Sequence, residues 1–192
     1  MPPDFARLVS LACHDLRTPL ATVQGFAKTL IRVEVEPDKS ARYLGMIDEA
    51  SEELAGLTDR LSLAARIEGG RYEPVLREVD SLELVRAAEP AATGGGALVS
   101  VDADAVERAI GDLARAAGRH GGAPPAVHVD GAVVQLRPVP ADAAAVVLGD
   151  DQKDLGAAVA VLVVRALGGD VAYDDETVSV RLPAGGDSPP AG

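Results

Sequence analysis

A single cysteine, Cys13, stands among 192 residues, so no disulfide can close within the chain and a reducing cytoplasm is the default setting. Basic residues are in deficit. The 18 Lys and Arg face 30 Asp and Glu, a net charge of −12, and a nucleic-acid backbone site, which needs clustered Lys and Arg, is excluded as the main activity. No apolar run is long enough to span a membrane. The best stretch, 155–167, is short and contains Arg165, so direct membrane insertion is not expected. No repeat period is evident, and a secretory signal peptide is not expected. His120 and His128 have no metal-ligand spacing with another His or Cys and read as a helix-end and a strand-face residue; no metal site is expected.

What the chain does have is two helical stripes. Phe5, Val9, Ala12, Leu16, Val23, Ala27 and Leu30 step by threes and fours with one step of seven, the spacing of a helix with one face made for a partner. Leu44, Ile47, Ala50, Leu54, Leu57, Leu61 and Ala64 repeat the pattern after Pro37 and Asp38, a start signal and cap, and Gly69-Gly70 ends it. Two such helices joined near 33–37 make a hairpin that cannot bury both stripes alone over that length. Pairing of two hairpins into a dimeric four-helix bundle is the expected remedy, the alternative being packing onto the chain's own second half. Asp48, Glu49, Glu52, Glu53 and Asp59 read as a solvated face or as flanks of a partner's docking surface.

His14 lies off the first stripe. At about 100° per residue it sits roughly 200° from both Ala12 and Leu16, so its ring points to solvent. Asp15 is near enough to hold one ring nitrogen and leave the other as a neutral nucleophile, and Thr18 shares the face one turn on. Pro19 has no N–H for the Asp15 carbonyl, so a loosened turn is expected beside the histidine. Cys13 is expected to pack as a small apolar residue.

The run His14-Asp-Leu-Arg-Thr-Pro-Leu20, within 8–31, resembles the phospho-accepting segment of two-component sensor histidine kinases. The resemblance implies that His14 is phosphorylated on a ring nitrogen and exchanges the group with an aspartate on a response-regulator receiver domain. It further implies that Asp15 assists transfer, that Thr18 positions water in the phosphatase direction, and that Arg17 contacts phosphate or the docked partner.

From residue 71 the pattern changes to mixed strands and helices. Helical spacing covers 79–88 and 104–118, and 126–136 alternates as a hairpin about Asp130-Gly131. A nearly all-apolar helix follows at 155–167, then strands at 171–173 and 177–182 joined by a turn at 174–176. The fold class expected is α + α/β: residues 1–70 form the phospho-acceptor hairpin, 71–183 a small α/β sandwich, and 184–192 a disordered tail. The second half resembles the Bergerat-type ATP-binding domain of histidine kinases, with 106–120 as its asparagine-box helix and 154–169 as its second glycine box.

At the chemical positions that resemblance fails. Ala116 stands where the family carries the asparagine that ligates Mg²⁺, and a methyl group cannot coordinate a hard cation. Asp112 occupies the other asparagine position. Asp154 replaces the first glycine of the second box and puts a negative charge where a triphosphate would lie. Arg137-Pro-Val-Pro-Ala141, with no glycine, stands where the adenine-reading loop should be. Gly94-Gly-Gly96 reads as linker, with a hidden nucleotide loop there or at 149–151 as the alternative. The reading is therefore a dimeric histidine phosphotransferase that binds no cofactor itself, with Mg²⁺ expected in the receiver. Its rivals are an ATP-dependent sensor kinase with a divergent nucleotide site and a non-enzymatic dimeric scaffold.

Overall fold

The computed structural model describes residues 5–151 and 153–185. The first stripe becomes two helices, α1 (Phe5–Asp15) and α2 (Arg17–Arg32), which meet at Leu16. Pro19 is the reason, since it offers no N–H to the Asp15 carbonyl. Bonds on either side, Leu16 N to Ala12 O at 2.9 Å and Leu20 N to Leu16 O at 3.2 Å, carry the chain across the gap. The long α3 (Pro37–Glu68) returns along α2, and the rings of Phe26 and Tyr43 meet at 4.9 Å between them. Pro37 starts α3 as its first residue, but Asp38 lies in the first turn and no side chain caps the helix.

The stripes find partners unevenly. Leu8, Ala12 and Ala64 are fully buried in one hydrophobic cluster with the second half of the chain, which is the packing weighed above as the alternative to a dimer. It reaches only that end of the hairpin. Val23, Ala27, Leu30, Ile47 and Leu54 remain half-buried and Leu44 is exposed.

After α3 the chain turns at Gly69-Gly70 and is tied down by Tyr72, whose hydroxyl donates to Asp102 Oδ2 at 3.1 Å under the Arg66 guanidinium. β1 (Leu76–Asp80), α4 (Ser81–Ala88), β2 (Thr93–Gly96), β3 (Leu98–Asp102) and α5 (Ala103–Gly121) follow. Then come β4 (Ala126–Gly131), β5 (Val133–Arg137), α6 (Ala141–Val147), α7 (Leu155–Ala166), β6 (Asp170–Asp174) and β7 (Thr177–Arg181). A mixed sheet of order β2-β4-β5-β7-β6 is parallel only at β2-β4, and β1 pairs with β3 separately. Alternation sets its buried face. Val129, Val134, Val180 and Val171 align across four strands, and all four join the α5–α7 core.

The helix expected at 79–88 starts at Ser81, because Val79 and Asp80 pair with β3 and the Asp80 carboxylate caps α4 through Leu82 N and Glu83 N at 2.9 and 3.0 Å. Gly94-Gly-Gly96 is neither linker nor nucleotide loop. It is the edge strand β2, and at Gly94 (φ 115°) a Cβ would collide with the Val129 backbone of β4. Ala184 bridges to Val99, and Gly185 N donates to Leu98 O at 3.0 Å, so the first two residues of the expected tail are held; its remainder, 186–192, lies outside the described residues. No described helix is long and apolar enough to cross a membrane.

Candidate functional site

The break between α1 and α2 puts His14 at the last turn of α1, beside the loosened backbone. Its side chain is 78% exposed, and Nδ1 lies 3.3 Å from Asp15 Oδ1, at the long end for a hydrogen bond. Nε2 is then the nitrogen facing outward. Thr18 lies on the same side, and the three residues line one wall of a cleft of about 680 Å³. Arg17 is exposed but does not line that cleft, and Cys13 is exposed rather than packed, because Leu8 and Ala12 carry the buried face of α1.

The opposite wall belongs to the second domain and contains residues that spacing alone did not single out. Asp112, Arg115 and Arg119 fall at steps of three and four on α5, one helical face. Asp112 accepts two bonds from Arg60 of α3, Nε at 2.8 Å and Nη2 at 2.7 Å, and a third from Arg115 Nη2 at 2.6 Å. Burial pushes the Asp112 carboxyl up, but the bonds from the two arginines outweigh it and hold the group below the usual carboxylate range. The Asp112 hydrogen bond raises Arg60 in turn. The side chain of Asp112 is only 9% exposed, so this two-pronged pair fastens the hairpin to the second domain with little screening. A sequence signal existed for Arg115 and Arg119 in their spacing from Asp112; none existed for Arg60, which comes from 52 residues away.

Asp154 sits at the start of α7 and fills that helix's own N-terminal end. Its Oδ1 accepts from Ala157 N at 3.1 Å, and its Oδ2 meets Arg119 Nη2 at 2.6 Å and His120 Nε2 at 3.3 Å. Asp112 reaches the same place from α5, where a Cβ on Gly156 would come within 3.1 Å of its Cγ. Ala116 is fully buried in the hydrophobic cluster. Two arginine-bound carboxylates therefore occupy the helix start where an anion would otherwise be favoured. Among the described residues no group of three or more His, Cys, Asp or Glu can hold a metal ion. His128 lies on the exposed side of β4, with Nδ1 3.2 Å from Thr93 Oγ1.

Comparison with known proteins gives this arrangement a context. Residues 6–70 match the His Kinase A (phospho-acceptor) domain family. The chain is 32% identical over 65 residues to the probable sensor histidine kinase TcrY of Mycobacterium tuberculosis, covering 34% of this chain and 14% of that protein. It is 32% identical over 83 residues to the sensor protein kinase PmrB of Pseudomonas aeruginosa, covering 43% and 17%. The chain thus spans about a sixth or less of these curated relatives. Among solved structures, the Acinetobacter baumannii histidine kinase AdeS superposes with a TM-score of 0.66 at 19% identity over 90% of this chain and 98% of that one. Full-length ShkA in complex with AMPPNP gives 0.51 at 21% identity over 93% and 46%. Residues 6–70 therefore match the phospho-acceptor domain family of histidine kinases, and the described chain has the fold seen in these histidine kinase structures.

Proposed function

We propose that this chain is a dimeric histidine phosphotransferase, in which His14 takes a phosphoryl group from a phosphoaspartate of a response-regulator receiver domain and returns it to the aspartate of another. The carrying observation is the exposed imidazole whose Nδ1 faces the Asp15 carboxylate. With Nδ1–H donated to Asp15, the Nε2 lone pair attacks phosphorus, the N–P bond forms, and the P–O bond to the receiver's aspartate breaks, its electron pair leaving with the carboxylate. Asp15 stabilises the imidazolium as charge develops. The receiver supplies the Mg²⁺ that neutralises the transferring group; this chain supplies position. Thr18, on the same wall, orients water when the flow ends in hydrolysis, and Arg17 at the surface meets the docked receiver.

No nucleotide takes part in this reading. A triphosphate placed at the start of α7 meets the carboxylates of Asp112 and Asp154, one of which already caps that helix. The pairing into a four-helix bundle follows from the half-exposed stripes of α2 and the adjoining N-terminal part of α3, which no other described element covers to any extent.

The test is incubation with a panel of receiver domains loaded from a small-molecule phosphodonor. Label moves to the native chain and not to His14→Ala. A native chain that never acquires label, or a variant that still does, overturns the proposal. Calorimetry with MgATP is expected to give no binding heat at micromolar concentrations, and micromolar affinity there would restore the ATP-dependent kinase reading.

A further inference from the structure

We propose that Arg115, Arg119 and Lys153, on the second-domain wall of the cleft, form a receptor for the phosphoryl group once it sits on His14 of the same chain. The inference rests on the phosphotransfer reading above and adds a ligand for the second domain: the phosphorylated imidazole of its own bundle. Both walls line one cleft of about 680 Å³, which has room for a phosphoimidazole but not for another folded domain. The receptor therefore acts in the interval after one receiver has left and before the next arrives.

Charge and donor geometry favour this assignment. On the bundle side the cleft carries Asp15, Glu52 and Glu53 against Arg60 alone, so a phosphoryl group bringing about −1.5 to −2 further charges finds no compensation there. Across the cleft stand Arg115, Arg119 and Lys153, with His120, against Asp112 and Asp154. Each arginine spends only one Nη2 on its aspartate, and a guanidinium has five N–H donors in a fork that suits phosphate. Their side chains are 54% and 60% exposed, while the aspartates hold their stems in place. Lys153, paired with the surface residue Asp151 at 2.5 Å, adds a movable charge.

Potassium phosphoramidate tests this without any receiver. The Nε2–P bond forms as the phosphoramidate N–P bond breaks, and ammonia leaves. Phosphorus NMR then follows the second ionisation of the phosphohistidine against pH. In the native chain the midpoint is expected about half a pH unit or more below that of an Arg115→Gln/Arg119→Gln variant, with the gap shrinking in 1 M salt. Because those arginines also neutralise Asp112 and Asp154, Lys153→Gln is the second variant; it leaves both pairs intact and shifts the midpoint less, in the same direction. Equal midpoints in all three proteins overturn the inference. So does a His14 that stays unmodified under conditions that phosphorylate free histidine, because the cleft then excludes the group. A flat titration on modified His14 leaves receiver exchange standing, and receivers that fail to label the chain leave the titration readable.

Discussion

α2 and α7 are both helices with apolar faces, yet α2 buries one of its 16 residues, Pro19, while α7 buries ten of its 12. α7 is enclosed by α5, α6, α3 and α1. α2 touches only α1 and α3 to any extent. The difference separates two ways of using hydrophobic surface. Around α7 the apolar area closes a core within one chain, whereas along α2 and the adjoining part of α3 it is left half-covered, as expected for a face completed by a second copy. The chemical groups divide the other way: His14, the proposed phospho-acceptor, lies in the last turn of α1 just ahead of the loosely covered α2, and the well-packed α7 begins at carboxylates that oppose an anion.

The sharpest way to break this contrast is to place a carboxylate on each side of it. Val161→Asp buries an unpaired charge in α7, where Val161 is 1% exposed, at a cost of several kcal/mol against a total stability of about 5–15 kcal/mol. Loss of the cooperative melt by circular dichroism is the expected result. Leu44→Asp falls on a residue 56% exposed in the single chain, so the fold of one chain should change by no more than about 0.5 kcal/mol. Sedimentation should instead report dissociation of the pair; a single species before and after the change would mean that the stripe of α3 faces water.

The latch between the two regions comes next in size. Asp112→Ala leaves Arg60 and Arg115 without their shared anion, a loss of about 1–3 kcal/mol once their partial exposure is allowed for. The pH dependence has a definite sign. The folded Asp112 carboxyl lies below its ordinary value, so its contribution is full above the unfolded value of about 3.9 and is lost as pH falls from there through the folded value. Thermal melts of the native chain and Asp112→Asn should therefore differ by a constant amount near neutrality and converge below about pH 4. A gap that widens in acid would contradict the direction assigned to Asp112.

Legibility in the sequence followed the length scale of each interaction. The turn opened by Pro19, the exposure of His14, the Asp15 contact and the Asp174 to Thr177 hairpin, with positive φ at Asp175 and Glu176, all arise within a few residues, and local spacing is enough to find them. β1, β2, β3 and α6 were not anticipated. β1 and β3 exist because they pair with each other across 22 residues, and β2 is a run of glycines whose strand state comes from the β4 backbone beside it, information that no periodicity carries. Asp154 was legible as unsuitable for an anion and Asp112 as a changed metal-ligand position, but neither as half of an ion pair, because Arg119 and Arg60 reach them from 35 and 52 residues away.

The smallest effect expected concerns Thr18, and it separates positioning from packing on the histidine's own wall. Thr18 is exposed and lines the cleft with His14; its carbonyl receives the Thr22 hydroxyl at 3.2 Å. Thr18→Ala removes only an exposed hydroxyl and so should leave the melt within about 0.5 kcal/mol. Acceptance of label by His14 should also be unchanged, since the in-line attack uses Nε2 and the receiver's metal. If the hydroxyl orients water in the hydrolytic direction, loss of one hydrogen bond of about 1 kcal/mol slows receiver dephosphorylation about fivefold. Time courses of label on receiver and chain separate the two steps. Equal slowing of both would place Thr18 in docking, and slowing of neither would leave it a solvated residue of α2 with the chemistry confined to His14 and Asp15.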